Sequence, residues 1–414
     1  TLTVVKALWP VSDPGQFIID ADGTTGPAGG HGTSASSSVF VGDSATFGET
    51  AAPGTDPVQY ITTYSCTDGT SGSGSGSSLT MPDQDVTCTI TNWRKPLKAY
   101  MPFILNVWPA PEMRHPKMAD VNPQTGRVFV TSRDNDTLWA LDGQTLDVID
   151  VVPVCAEPFD VAVNQNTDKV YVTCFASGEV AVVDGSTLAV LSQVEVGYHP
   201  ASLAVNPDTN RIYVAVHGSS RVAVIDGTTD TLAGVIDVHN GPFGIAVNRN
   251  LNRVYVGHRD SLSIVTIDGA TDTLLHSQTV YPTPSRSVPY AMEYNEASQK
   301  LYVVYGPYII PNKVWAYQAT TSGLNPLTSI DVGNGGADGG GGIVANPTTN
   351  HIFVTNSAEN SVTVIDGALD TVLSTIHHPG VFLQDPYGIV VDSTAGIVYV
   401  VNRSADNLSM FPDP

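Results

Sequence analysis

Three residues set in line with apolar side chains give the start of the chain its most distinctive chemistry: Lys6, Glu49 and Asn92. Lys6 continues the alternation Leu2, Val4; Asn92 continues Val86, Cys88, Ile90; Glu49 follows Phe47 at the same spacing. In a strand, alternate residues share one face. An unpaired charge among such neighbours would cost several kcal/mol. Burial lowers an amine pKa and raises a carboxyl pKa, which leaves a neutral amine beside a protonated acid. That is what Lys6 would need to attack the Asn92 carboxamide and form an intramolecular isopeptide bond.

A second set is cationic. Arg133, His217, Arg259 and Arg403 each fall four residues beyond a strand aromatic, namely Phe129, Tyr213, Tyr255 and Tyr399. Arg114 and His115, with His199, His239 and Arg286, precede the segments that carry those aromatics. Gathered at one face they would form a funnel for an anionic ligand such as a carboxylate or sulfated sugar. The competing reading pairs them with neighbouring acids such as Asp134, Asp260 and Asp406. The histidines form no HxH or HxxxH pair, so no metal centre is expected. GxSxG, a P-loop and a helix-opening GxGxxG are missing too, so no catalytic set or cofactor is predicted.

The elements that must position these residues repeat. Val170-Tyr171-Val172 precedes Asp184-Gly185, Ile212-Tyr213-Val214 precedes Asp226-Gly227, and Val254-Tyr255-Val256 precedes Asp268-Gly269. Phe129, Tyr171, Tyr213, Tyr255, Tyr302, Phe353 and Tyr399 mark seven units at intervals of 42, 42, 42, 47, 51 and 46 residues. A period of about 40–50 residues with several short strands per unit is a propeller-blade signature. The last unit stops one strand short after Asn407–Phe411, while Tyr100–Val107 supplies an extra strand at the start. Pairing the two would close the ring and remove an open sheet edge. In each Asp-Gly turn, Asp is expected to accept from the backbone and Gly to take a positive φ. The fifth unit carries an insertion, Gly306–Lys313, and the sixth opens on a glycine run, Gly333–Gly342.

Before Lys98 no such phrase occurs, so the chain divides into residues 1–97 and 98–414. The fold class is all-β: a β-sandwich followed by a seven-bladed propeller with strand-exchange closure. Cys66 and Cys88 flank a Gly/Ser tip as arms of a hairpin would, and Cys155 and Cys174 flank another hairpin; each pair is expected to form a local disulfide in an oxidising compartment. A formal charge of −22 argues against nucleic acid and anionic membrane surfaces as partners. Nothing in the sequence is apolar for long enough to span a membrane, and Thr1 is read as a processed N-terminus. Glycosylation sequons occur at Asn135, Asn402 and Asn407.

The first 97 residues resemble the prealbumin-like (CnaB or SpaA-type) domains of bacterial surface proteins. The resemblance rests on Leu2–Lys6, on Phe47–Gly54 and on Cys88–Asn92. It implies that Lys6 and Asn92 crosslink with Glu49 assisting; the Cys66/Cys88 pair departs from the commoner pattern. From Lys98 onward the chain is similar to the YVTN family of β-propeller repeat proteins, on Tyr171–Cys174, Phe353–Asn356, Tyr399–Asn402 and the recurring Asp-Gly. Together these imply a secreted or cell-surface structural or adhesive protein. The first module would be its stalk or polymer connector and the propeller its display or binding head. Expected partners are another copy, a surface protein or a glycan, and Thr1–Val5 is expected to be available for strand donation into an extracellular filament. The alternative is a propeller lyase or hydrolase with its site in the cationic funnel.

Overall fold

Alternation builds the first unit. Phe17–Ala21 and Ser44–Ala51 bury every second residue, and Phe17, Ile19, Ala21, Ala45 and Phe47 form the inward set. One sheet is ordered Ser34–Ser37, Leu2–Trp9, Val86–Arg94, Tyr60–Cys66, Ser71–Ser73. The other is ordered Thr24–Thr25, Phe17–Ala21, Ser44–Ala51, Gly76–Thr80. Leu2, Val4, Ile19, Phe47, Leu79, Val86 and Ile90 meet in one core, with Phe47 edge-on to Tyr64 at 5.2 Å between centroids. The computed structural model describes residues 1–9, 16–28, 32–40, 42–53, 60–68, 71–73, 76–94, 113–279, 288–306, 313–333, 342–377 and 383–413. Two units account for them, Thr1–Met101 and Pro102–Pro414.

Two expectations for this unit change. The leading strand is not available for pairing: Leu2–Val5 lies antiparallel to Ser34–Ser37, and Leu2–Trp9 runs parallel to Val86–Trp93 on its other side. The Thr1 ammonium is tied to Asp85 at 2.5 Å. Strand donation would therefore have to displace a strand already paired on both edges. Cys66 and Cys88 are disulfide bonded, but not as arms of one hairpin. They face each other on neighbouring antiparallel strands, and the chain between them visits the second sheet through Gly76–Thr80.

The second unit is a propeller. Blades one to six have four antiparallel strands each, as in Pro158–Asn164, Lys169–Cys174, Glu179–Asp184 and Val190–Glu195 of blade two. Blade seven shows three, Pro386–Asp392, Ile397–Asn402 and Asn407–Pro412. Tyr100–Val107, expected to complete it, lies outside the described residues, as do Arg286 and most of the fifth-unit insertion and sixth-unit glycine run. The inner strands nevertheless close a ring, with Pro386–Asp392 packed against Pro116–Asn122 of blade one. Second strands are covered on both faces by neighbouring blades, which is why they read as continuous apolar runs. Outer strands are exposed along most of their length.

The repeated phrase is a latch between blades. The Tyr213 hydroxyl donates to Asp272 Oδ1 at 2.8 Å, and that of Tyr302 to Asp370 Oδ1 at 2.7 Å. Tyr399 of the last blade donates to Gly143 O of the first at 2.8 Å. A second belt runs through asparagines that end the inner strands. Asn122 Nδ2 donates to Asp168 at 2.6 Å, Asn164 to Asn210 at 2.7 Å, Asn206 to Asn252 at 2.9 Å and Asn295 to Asn350 at 2.7 Å, each partner lying on the next blade.

The Asp half of the Asp-Gly turn behaves as expected, Asp142 Oδ1 accepting from the amides of Gln144 and Thr145. The Gly half does not. None of Gly143, Gly185, Gly227, Gly269 and Gly367 has a positive φ; the left-handed residue falls three positions later, as at Leu188 (φ 61) and Asp230 (φ 54). Glycine is required by close approach instead. A Cβ on Gly143 would meet Gly126 O at 2.6 Å and the Tyr399 hydroxyl at 2.8 Å.

Candidate functional site

At one end of the propeller, the loop after each second strand meets the loop entering the inner strand of its blade. The pairing repeats as a backbone hydrogen bond: Arg133 N to His115 O, Phe175 N to Glu157 O, His217 N to His199 O, Arg259 N to Gly241 O and Arg403 N to Asp385 O. His115, Glu157, His199, Gly241 and Asp385 all have a positive φ, and each is followed by proline. That turn delivers the next side chain to the rim of the central channel. In order these are Lys117, Phe159, Ala201 and Phe243 on blades one to four, with Tyr290 and Tyr387 at the same place on blades five and seven.

Those residues form an aromatic cap. Phe159 lies 5.9 Å from Phe243, Phe243 lies 4.8 Å from Tyr290, and the Tyr290 and Tyr387 hydroxyls hydrogen-bond at 2.6 Å. Burial holds the Tyr387 phenol well above its ordinary pKa. Lys117, only 5% exposed, sits 4.7 Å from the Tyr387 ring and 5.8 Å from that of Phe159. A column of stacked rings rises beside the cap: Phe175 on His199 at 4.4 Å, and His199 on Tyr198 at 3.6 Å. Tyr198 is 61% exposed.

The predicted cations are placed on this end, with unequal partners. Arg133 is bound to Glu157 at 2.6 Å, and Arg403 to Asp385 at 2.7 Å while lying 5.0 Å from the Tyr387 ring. His115 faces Asp134 at 3.4 Å, and its backbone amide is held by Asp406. Desolvation and the nearby Lys117 lower its pKa. Arg114 is exposed, its backbone amide and carbonyl both bonded to the Ser132 hydroxyl. His217 lies edge-on to Phe243 at 5.9 Å with Nδ1 buried and without a hydrogen-bond partner; desolvation lowers its pKa. Arg259 differs from Arg133 and Arg403. Its guanidinium stacks 4.8 Å from the Phe243 ring and 5.3 Å from that of Tyr290, and it makes no ion pair among the described residues. A guanidinium seated on aromatic faces keeps its N–H edge for a planar acceptor. Pairing with neighbouring acids thus holds for Arg133, Arg403 and His115, though with Glu157 and Asp385 as the acids of the two arginines, and fails for Arg259.

Below the cap, three carboxylates lie on the inner strands. Asp120 accepts from the amides of Val121 and Val163, and Asp160 from those of Val161 and Leu203, so each ties its own strand to the neighbouring blade. Desolvation raises Asp120 to about 6, Asp160 to about 7 and Glu293 to about 8, with the charge of Asp120 adding to both others. No group of three or more His, Cys, Asp or Glu among the described residues is placed to hold a metal.

The other predicted sites resolve as follows. Cys155 and Cys174 are bonded, joining the entry loop of blade two to its second strand. Glu49 is buried at 8% exposure. Lys6 and Asn92 lie on adjacent parallel strands, Lys6 opposite Ile90, but their side chains fall outside the described residues. Asn402 is fully buried and donates to Asn407 and Ser409, so its sequon is closed to glycosylation. Sequence reasoning missed the aromatic cap and the three inner-strand acids. The signal for the cap was present as a proline followed by Phe or Tyr at blade entry, in Pro158-Phe159, Pro242-Phe243, Pro289-Tyr290 and Pro386-Tyr387.

Comparison with known proteins agrees with the fold. No curated protein matches the chain in sequence. Hydrazine synthase of Kuenenia stuttgartiensis is similar in structure, with a TM-score of 0.63 at 16% identity over 75% of this chain and 99% of that one. The β-propeller domain of Myceliophteria thermophila Cps50 (Swd1) is similar with a TM-score of 0.60 at 9% identity, over 72% of this chain and 97% of that one. At such identities the likeness speaks for the fold alone. Residues 113–255 match the model of the Choice-of-anchor I domain. The chain is thus an all-β protein with a small N-terminal β unit and a seven-bladed propeller, whose first three blades and the start of the fourth are similar to the Choice-of-anchor I domain.

Proposed function

We propose that the protein acts at the cell surface or outside the cell as a binding head on a connector, with the aromatic–cationic end of the propeller taking an anionic ligand. Two disulfides fit an oxidising compartment, the Choice-of-anchor I likeness fits a surface location, and no helix among the described residues is long and apolar enough to cross a membrane. The observation that carries the ligand class is Arg259, an ion-unpaired guanidinium stacked on two rings in a chain of net charge −22. Asp and Glu outnumber Lys and Arg by 40 to 18, and a half-buried guanidinium that sits on two rings rather than on one of those acids suits an external carboxylate. With arginine side chains isotopically labelled, the Arg259 Nε–H resonance is expected to move on titration with benzoate and to stay fixed with benzyl alcohol; no movement with benzoate would remove the reading.

The first unit is proposed as the connector, with an isopeptide bond between Lys6 and Asn92. The parallel adjacency of their strands and the burial of Glu49 support it. Intact-mass measurement is expected to read about 17 Da, one ammonia, below the sequence mass with both disulfides allowed for, and Lys6→Ala to lose that deficit. The lyase or hydrolase alternative would place its chemistry among the same Arg and His side chains, with His217 at the centre. It predicts turnover of an anionic substrate, which His217→Ala would abolish.

A further inference from the structure

Resting on that reading, we infer that the ligand is an acidic glycan, bound with one uronate carboxylate on Arg259 and a neighbouring sugar ring stacked on Tyr198. The anchor and the platform are close and differ in kind. Tyr198 lies directly over Gly218, where an added Cβ would meet the Tyr198 ring at 2.6 Å and its carbonyl oxygen at 2.7 Å. The neighbouring His217 lies against Phe243 at 5.9 Å, and Phe243 carries Arg259 at 4.8 Å. So a chain of contacts runs from an exposed ring to a guanidinium, through His217, whose Nδ1 is buried and without a hydrogen-bond partner.

Each part selects. A stacked guanidinium offers a fork that suits a planar carboxylate better than a tetrahedral anion. Tyr198 is 61% exposed yet held rigidly by the stack His199–Phe175 beneath it, with ring centroids 3.6 and 4.4 Å apart. An exposed ring fixed from behind presents an apolar face with a polar tip, which suits the apolar face of a sugar ring. A small aromatic acid would use Arg259 and leave Tyr198 unused. A chain of sugar rings with carboxylates at intervals uses both ends at once.

The test is calorimetric titration of the full chain with tetrasaccharides of galacturonate and of hyaluronan, each beside its carboxyl-reduced form. At least one acidic tetrasaccharide is expected to bind, with affinity falling tenfold or more on carboxyl reduction, in Arg259→Lys and in Tyr198→Ala. Tyr198 is exposed, so its replacement leaves the fold intact, as a melting curve will verify. Gly218→Ala, which displaces Tyr198 while keeping its ring, is expected to weaken binding in the same direction. Binding of neither tetrasaccharide, or equal binding by wild type and Tyr198→Ala, overturns the glycan. If benzoate still moves the Arg259 resonance in that case, the anion site stands without the sugar; if it does not, both fall together.

Discussion

Raising the pH from about 6.5 to about 8.5 is expected to lower the melting temperature of the propeller by roughly 5 °C, against the trend of proteins whose carboxylates are stabilised in the folded state. The sign follows from Glu293 at about 8 and Asp160 at about 7, both raised chiefly by desolvation. In the unfolded chain these groups lose their protons near the ordinary carboxylate range, whereas the folded ring keeps them protonated. The folded state therefore binds more protons across the interval, and stability falls as pH rises through the folded values. The loss is on the order of 2–3 kcal/mol. Toward lower pH the slope is opposed by His258, lowered to about 4 by burial, and by His217 and His115, lowered likewise, each of which favours higher pH. Glu293→Gln mimics the neutral acid, so it should flatten the alkaline slope and raise the melting temperature at the upper end. A wild-type profile level over the interval, or an unchanged slope in the variant, would defeat the argument.

Lys300→Met should cost about 3–5 kcal/mol, the largest effect of any single charged residue on the propeller. Lys300 Nζ donates to Asp370 Oδ2 at 2.7 Å and to Gly367 O at 3.1 Å, joining blade five to blade six with the two side chains only 12% and 11% exposed. The Tyr302 hydroxyl donates to the other oxygen of Asp370. Removing the amine leaves a carboxylate enclosed by protein with one neutral donor. In the double variant Lys300→Met/Asp370→Asn the uncompensated charge is gone, so most of the loss should be recovered, and a double-mutant cycle in chemical denaturation should show strong coupling. Arg249 supplies the contrast. It bonds Asp208 at 2.7 Å with both side chains more than a third exposed, and Arg249→Ala should cost less than about 1 kcal/mol. Equal losses at the two sites would mean that burial does not govern these pairs.

The frame was legible because it is periodic. Tyr171, Tyr213 and Tyr255 recur at one interval, and the apolar runs around them can only be strands covered on both faces. The reason for each glycine was misread, because a positive φ is a local property that Asp-Gly suggests, whereas the approach of Tyr399 to Gly143 joins residues 256 positions apart. The same limit hid the partner of Arg259: its sequence neighbour is Asp260, yet its guanidinium lies on Phe243 and Tyr290. Asp120, Asp160 and Glu293 escaped for a related reason. Asp120 and Glu293 share a position that blades two, three and four fill with Ala162, Ala204 and Ala246, and Asp160 stands where blade four has Gly244, so nothing periodic marks the three as a set. In the first unit the alternation of Leu2, Val4, Val86 and Ile90 fixed the strands, but only pairing reveals that Leu2–Trp9 is interior and parallel to Val86–Arg94.

The latch from Tyr399 to Gly143 also has a meaning in time. The matching bonds of Tyr213 and Tyr302 reach forward to the blade made next, so a growing chain satisfies them within some sixty to seventy residues: Tyr213 to Asp272 spans 59 and Tyr302 to Asp370 spans 68. The Tyr399 bond points backward instead, across 256 residues, and with it goes the packing of Pro386–Asp392 on Pro116–Asn122. Blade one thus leaves the ribosome with one flank waiting for a neighbour that is synthesised last. Long-range closure of this kind is slow, and the waiting flank, which includes the apolar side chains of Met113, Trp139 and Leu141, is the surface most exposed to aggregation in the interval.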